Sequence, residues 1–155
     1  MRLTKQTGHA LRLLVECARS GAEHVKVAAV AAQLDLTNPN MFKIVHILVR
    51  AGFLKTIRGP HGGVKLSRKP AQIRIGDVVR ATETTAIEVE GHTAGGRRAG
   101  GTTAINRVLD DALEAFISVL DKHTLADLAS SETSPLLAPR RARKQPVRAL
   151  KARAQ

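Results

Sequence analysis

Residues 36–66 read LTNPNMFKIVHILVRAGFLKTIRGPHGGVKL, and two periodicities meet inside this stretch. Thr37 is a good N-cap, with Pro39 in the first turn, where a missing N–H costs little. Met41, Ile44, Val45, Ile47 and Leu48 then recur at the spacing of one buried helical face, and Gly52 closes the helix. Beyond it the pattern changes. Phe53, Leu54 and Ile57 read as one strand, and Val64 and Leu66 as the returning strand. The intervening RGPHGG supplies Gly59, Pro60, Gly62 and Gly63, which is hairpin chemistry. A helix running straight into a basic hairpin is therefore the element around which the rest must be arranged.

Upstream, an amphipathic helix is expected from Thr4 to Ser20, with Ala10, Leu11, Leu14, Cys17 and Ala18 on its apolar face and Gly21 as its stop. A second helix covers Val27 to Leu34, and Asp35 and Leu36 make a short turn. Two helices joined by a short turn after an amphipathic first helix form a helix-turn-helix. The hairpin behind it reads as a wing, with Arg58, His61 and Lys65 at its tip or flank. Cys17 reads as a small buried apolar residue, with a redox sensor as the alternative.

Downstream, IGDVVRA (75–81) reads as a short helix. GHTAGGRRAGGTT (91–103) holds five glycines and reads as a flexible loop. From Ala104 to about His123, Ile105, Val108, Leu109, Ala112, Leu113, Phe116, Ile117 and Leu120 form a sustained helical stripe. That stripe must be buried, against a second copy or back onto its own domain. Asp110, Asp111 and Glu114 fall on its polar side. After Leu128 the composition turns to Ser, Pro, Ala, Arg and Lys, and 130–155 reads as disordered. The expected organisation is a winged helix-turn-helix domain (1–83), a flexible loop (84–103), a dimerisation helix (104–128) and a disordered basic tail (129–155). The fold class is mainly α with a small β-hairpin wing.

Composition narrows the function classes. The chain has 155 residues and a formal charge of +12, which points to a polyanionic partner, most simply nucleic acid. Seven of those charges lie between Arg140 and Arg153, which leaves a mildly basic +5 of the +12 for residues 1–139. Aromatic residues make up 2%, with no Trp or Tyr, which weakens recognition of RNA through stacked bases. One cysteine cannot make an internal disulfide or a multi-cysteine metal site. No apolar run approaches the roughly 20 residues needed to span a bilayer, and MRLTKQTGHA has no signal-peptide core; a cytoplasmic location is expected. There is no phosphate loop, nucleophile elbow or metal-ligand cluster, so the chain does not read as an enzyme.

Several segments together resemble a known family. MRLTKQTGHALRLL, LTNPNMFKIVHILVRAGFL, IRGPHGGVKL, IRIGDVVRATE and ALEAFISVLDKHTLADL are similar to the Rrf2-type winged-helix transcriptional regulators over about residues 1–128. The most specific matches are Met41, Lys43, Ile44, Leu48, Arg50, Ala51 and Gly52 with the RGxxGGxxL wing. The opening MRLTKQT is similar to rhizobial iron-responsive members. Many members of this family carry an iron–sulfur cluster held by three cysteines in the loop before the long helix. The resemblance puts those ligands near His92, Arg97 and Thr103, and an acidic ligand of some relatives at Gly8; none of these residues is a cysteine or an acid. Without thiolates a cluster held in the family's manner is not expected. His9 and His92, with no carboxylate nearby, would make a poor metal site.

In a winged helix-turn-helix the second helix of the motif enters the major groove. The exposed residues at its start, Thr37, Asn38, Asn40 and Lys43, are the expected base-reading set, since Asn pairs with adenine and Lys reaches guanine or phosphate. Asn38 and Asn40 could instead serve as capping residues, and Lys43 as a solvated charge. Arg58 is suited to a narrow minor groove, while His61 and Lys65 suit phosphate, His61 equally a plain surface role. Arg2, Thr4 and Lys5 could reach backbone phosphates. A homodimer would face a pseudo-palindrome with half-sites about 34–36 Å apart, and promoter occupancy would repress. The rival readings are a regulator controlled by a partner protein or small effector, and a sequence-independent DNA compactor drawing on the basic tail.

Overall fold

The computed structural model describes residues 3–21, 23–60, 62–83 and 104–130. The expected loop, the basic tail beyond Ser130, His61, His92, Arg97 and Thr103 lie outside them, while Ala129 and Ser130, expected in the disordered tail, are the last residues of a helix. The described chain runs α1 (Lys5–Arg19), α2 (Val27–Gln33), α3 (Asn38–Arg50), β1 (Leu54–Ile57), β2 (Gly63–Leu66), a 3-10 turn (Pro70–Gln72), α4 (Ile75–Thr82), α5 (Ala104–Leu120) and α6 (Leu125–Ser130).

The core is built from one face of each helix. Ala10, Leu13, Leu14 and Cys17 of α1, Val30 and Ala31 of α2, and Met41, Ile44, Val45 and Leu48 of α3 are buried together. Leu54, Val64, Ile73, Val78 and Leu125 close the cluster from the hairpin, the end of the 3-10 turn, α4 and α6. The turn between α2 and α3 is made by Asp35, whose φ of 54° is left-handed, a conformation Asp tolerates better than most residues. The Leu36 N–H then bonds the Ala31 carbonyl at 2.9 Å, satisfying the end of α2. α3 ends at Arg50 with Ala51 as its C-cap, and Gly52 takes φ 74° to turn the chain into β1.

β1 and β2 pair antiparallel in the register Leu54↔Leu66, Lys55↔Lys65, Thr56↔Val64 and Ile57↔Gly63. A third segment joins them: Val25 bridges Val64, with N–H to carbonyl bonds of 2.8 and 2.9 Å. The hairpin is thereby sewn to the chain ahead of α2. Gly63 is required at this crossing, because a β-carbon there would collide with the Val25 carbonyl oxygen. Phe53, expected in the strand, precedes it and packs into the core at 3% exposure.

The carboxy-terminal part differs from expectation. One long helix to about His123, within a 104–128 unit, is not what forms. α5 ends at Leu120, and a separate α6 starts at Leu125. Thr124 and Asp127 cap the new helix reciprocally: the Asp127 carboxylate accepts from the Thr124 N–H at 2.7 Å, and the Asp127 N–H donates to the Thr124 hydroxyl at 3.3 Å. The Leu125 N–H bonds the Ile73 carbonyl at 2.9 Å and the Ile75 N–H bonds that of His123 at 3.0 Å. These bonds carry α6 back onto α1, where Leu125 is fully buried. The expected stripe of α5 also divides. Leu113 and Ile117 pack on Val79 of α4, with Leu3, Phe116 and Leu120 beside them. Val108 and Val119 stay 67% and 53% exposed, and Ala112 is exposed too. The side chain of Ile105 lies outside the described residues. Among the described residues no helix is long and apolar enough to cross a membrane.

Candidate nucleic-acid interface

α3 buries Met41, Ile44, Val45 and Leu48 and packs Val49 beside them, so the helical period turns the opposite side of the helix outward. Thr37, Asn38, Asn40 and Lys43 are all exposed. Thr37 occupies the N-cap position, but its hydroxyl makes no capping bond. Neither amide of Asn38 and Asn40 has a hydrogen-bond partner among the described residues, so neither serves as a cap. The same outward face holds three residues that the sequence reading left unassigned: Phe42, His46 and Arg50 are exposed as well. Counting i+3 and i+7 from Lys43 reaches His46 and Arg50, a periodicity legible without coordinates.

On the hairpin, Arg58 is exposed in the turn and Lys65 is half-buried on β2. Lys65 stands directly opposite Lys55, a fourth residue left unassigned by the sequence reading. Like charges across a strand pair are unfavourable in isolation. Here they leave two cations on one short ribbon with no carboxylate between them. The ion pairs found among the described residues, Arg80 with Asp77 at 3.0 Å and with Asp121 at 2.6 Å, belong to α4 and the end of α5. α3 and the hairpin thus present cations without neutralising partners.

Arg68 fixes α3 relative to the hairpin. Its guanidinium donates to the carbonyls of Gly52 and Ala51, both at 3.1 Å, and lies 5.1 Å from the Phe53 ring centroid. A cation on the last carbonyls of a helix is favoured by the helix dipole. The amino-terminal end is held by Glu83. Its carboxylate accepts from the Thr4 N–H at 2.7 Å and from the hydroxyls of Thr4 and Thr7. Desolvation opposes its charge, but the bonds from Thr7 and Thr4 outweigh it and hold the carboxyl below the usual range. Thr4, considered for phosphate contact, is therefore engaged inside the protein; Lys5 is exposed, and Arg2 lies outside the described residues.

The chain matches the family described as "Rrf2: Iron-dependent Transcriptional regulator" over residues 3–131. The chain belongs to the Rrf2 family. It is 40% identical over 137 residues to the HTH-type transcriptional regulator NsrR of Geobacillus kaustophilus, covering 86% of this chain and 93% of that one. It is 37% identical over 133 residues to Protein aau3 of Rhizobium meliloti, covering 84% and 86%. Among solved structures it is similar to CymR, the global cysteine regulator of B. subtilis, with TM-score 0.66 and 27% identity over 84% of this chain and 97% of that one. This Rrf2 protein is a DNA-binding transcriptional regulator and not an enzyme.

The donor set of this Rrf2 chain does not fit a thiolate-held iron–sulfur cluster. Its one cysteine, Cys17, is 1% exposed in the core of α1. Burial, and secondarily the charge of Glu16, push its thiol up to about 12, so it stays protonated and packed. His92, Arg97 and Thr103 supply no sulfur. His9 is a poor substitute: burial, Arg12 and Lys5 all lower its proton affinity, and the same two cations would repel a metal ion. Among the described residues no group of three His, Cys, Asp or Glu could hold a metal.

Proposed function

We propose that this Rrf2 protein is a homodimeric, sequence-specific repressor that works without an iron–sulfur cluster. The observation that carries the DNA assignment is α3 itself. One face is locked into the core by Met41, Ile44, Val45 and Leu48, and the other carries Asn38, Asn40 and Lys43 free of internal partners. α3 enters the major groove, where Thr37, Asn38, Asn40 and Lys43 read base edges. Arg58 of the wing enters the neighbouring minor groove, and Lys65 with His61 contacts phosphate.

The dimer reading rests on α5. Val108, Ala112, Ala115 and Val119 recur at i, i+4, i+7 and i+11, and all four are exposed. A stripe at this spacing pairs with its own copy about a two-fold axis, as a coiled-coil seam does. Two α3 helices related by that axis would read a pseudo-palindrome, and its occupancy would exclude polymerase. The alternative reading is a family-type regulator controlled by a partner protein or a small effector in place of a cluster.

Lys43→Ala and Arg58→Ala should each weaken binding to a promoter fragment by about 1–3 kcal/mol while leaving the dimer intact. Fluorescence anisotropy gives the affinity and light scattering the mass. Wild-type affinity in both variants would refute the assigned surface. Anaerobic treatment with iron and sulfide should leave the protein colourless; a visible cluster band with stoichiometric iron would refute the cluster-free reading.

A further inference from the structure

Phe42 is the one phenylalanine that the described structure leaves in solvent. It is 56% exposed, whereas Phe53 is buried and Phe116 half-buried. The other two large apolar side chains left exposed, Val108 and Val119, belong to the α5 stripe. A single surface apolar residue is ordinary in itself. The surroundings of Phe42 are not those of a protein-docking patch. Its exposed neighbours one turn away on α3 are Asn38, Pro39 and His46, Lys43 follows it, and Arg50 lies two turns on. The flanking hairpin adds Lys55, Arg58 and Lys65. A single large apolar side chain among partnerless amides and cations matches the mixed chemistry of the major groove, where phosphates flank base edges and the only apolar feature is the thymine C5 methyl.

We propose that Phe42 is a specificity-determining residue that packs on the C5 methyl of a thymine in each half-site; this rests on α3 being the base-reading helix. Four residues of helix rise about 6 Å, close to two base-pair steps of about 3.4 Å each. The thymine therefore lies within about two base pairs of the base that Asn38 contacts. Asn38 reads adenine through hydrogen bonds and Phe42 reads thymine by desolvating its methyl, so each half-site carries a short A·T-containing element.

The test uses the full chain. Sequences are selected from randomised duplexes with the wild type and with Phe42→Ala, and thymines of the selected site are then replaced one at a time by uracil, which removes only the methyl. One symmetric thymine should stand out in the wild-type site. Its replacement should weaken wild-type binding about fourfold, the equivalent of one buried methylene-sized group, and should leave Phe42→Ala binding unchanged. Phe42→Ala should lose preference at that position and keep it elsewhere. The substitution on the DNA leaves the protein intact, so a folding defect cannot imitate the result. If the wild type selects a site but no uracil weakens it, or Phe42→Ala keeps full uracil sensitivity, the role of Phe42 is overturned while α3 remains the reading helix. If the wild type selects no sequence at all, the site-specific reading of α3 is overturned as well.

Discussion

The same substitution, glycine to alanine, should have opposite effects at two positions of this chain. Gly8 lies in the interior of α1, and a β-carbon placed on it meets nothing within 4 Å. Alanine there lowers the entropy of the unfolded chain without a steric cost, which is a gain of about 0.5–1 kcal/mol. Gly63 begins β2, where a β-carbon collides with the Val25 carbonyl oxygen and comes within 3.0 Å of the His24 ring. The backbone must separate there, and the two Val25–Val64 bonds of 2.8 and 2.9 Å are the ones at risk. Each contributes about 1 kcal/mol net, and Val64 is 1% exposed, so its freed groups find little water. A loss of about 2–3 kcal/mol follows. At about 4 °C per kcal/mol, Gly63→Ala should lower Tm by about 10 °C and Gly8→Ala should raise it by about 3 °C. The chain has no Trp or Tyr, so far-UV circular dichroism is the appropriate probe. Protein concentration must be matched, because dimerisation would contribute to Tm. A Gly63→Ala protein as stable as wild type, or a Gly8→Ala protein less stable, would refute the reasoning.

Three further outcomes follow from the same geometry. Placing Asp at both Val108 and Val119 should convert a dimer to monomer by light scattering, since the buried charges raise the dissociation constant on the order of 100-fold; an unchanged mass, or a monomeric wild type, would sink the α5 interface. Cys17 should be inert to a thiol-reactive disulfide reagent in the native protein and titrate fully in denaturant, and rapid native labelling would contradict its packing. Because Glu83 has a lowered pKa in the folded state, its stabilisation is complete above the unfolded carboxyl value and is lost as pH falls through the folded one. Glu83→Gln should accordingly narrow the gap between urea midpoints measured near neutrality and at pH about 3, and an identical gap would show that the carboxylate does not stabilise α1.

How much was legible in the sequence depended on whether a residue's partner was local. The α3 helix was legible because its buried face repeats within four residues, and the hairpin because Gly59, Pro60 and Gly62 sit together in the turn. The Val25–Val64 bridge was not, because Val25 stands alone between His24 and Lys26 and only the fold brings Val64 to it. The break after Leu120 did carry a local signal, the Thr124–Asp127 capping pair, but the strong apolar stripe before it masked that sign. The division of that stripe was invisible for a different reason. Leu113 and Ile117 face α4 while Val108 and Val119 do not, and hydrophobicity alone cannot say which neighbour covers a residue. On α3, spacing placed Asn38, Asn40 and Lys43 away from the core, and they are exposed. Phe42 was missed because an apolar residue beside a core stripe reads as core until its exposure is known.

The carboxy-terminal return gives α5 leverage over α3. α4 packs on both α1 and α5, and α6 packs on α1. Arg80 links α4 to Asp121, just past the end of α5, while Arg74 donates to the Asp121 carbonyl at 3.0 Å. Burial disfavours charge on Asp121, but the Arg80 hydrogen bond acts first and more strongly, holding its carboxyl low and ionised through the neutral range. With Leu125 buried in the same core as Met41 and Leu48, the end of α5 cannot rotate without moving the body that carries α3. In a dimer built on α5, the spacing of the two reading helices is therefore set by the α5 crossing angle, through a close-packed core that transmits rather than absorbs strain. A signal that alters the α5 pairing would change half-site spacing without touching Asn38, Phe42 or Lys43. The path from α5 to α3 therefore runs through α4 and α6, by the packing of both on α1 and the burial of Leu125 beside Met41 and Leu48.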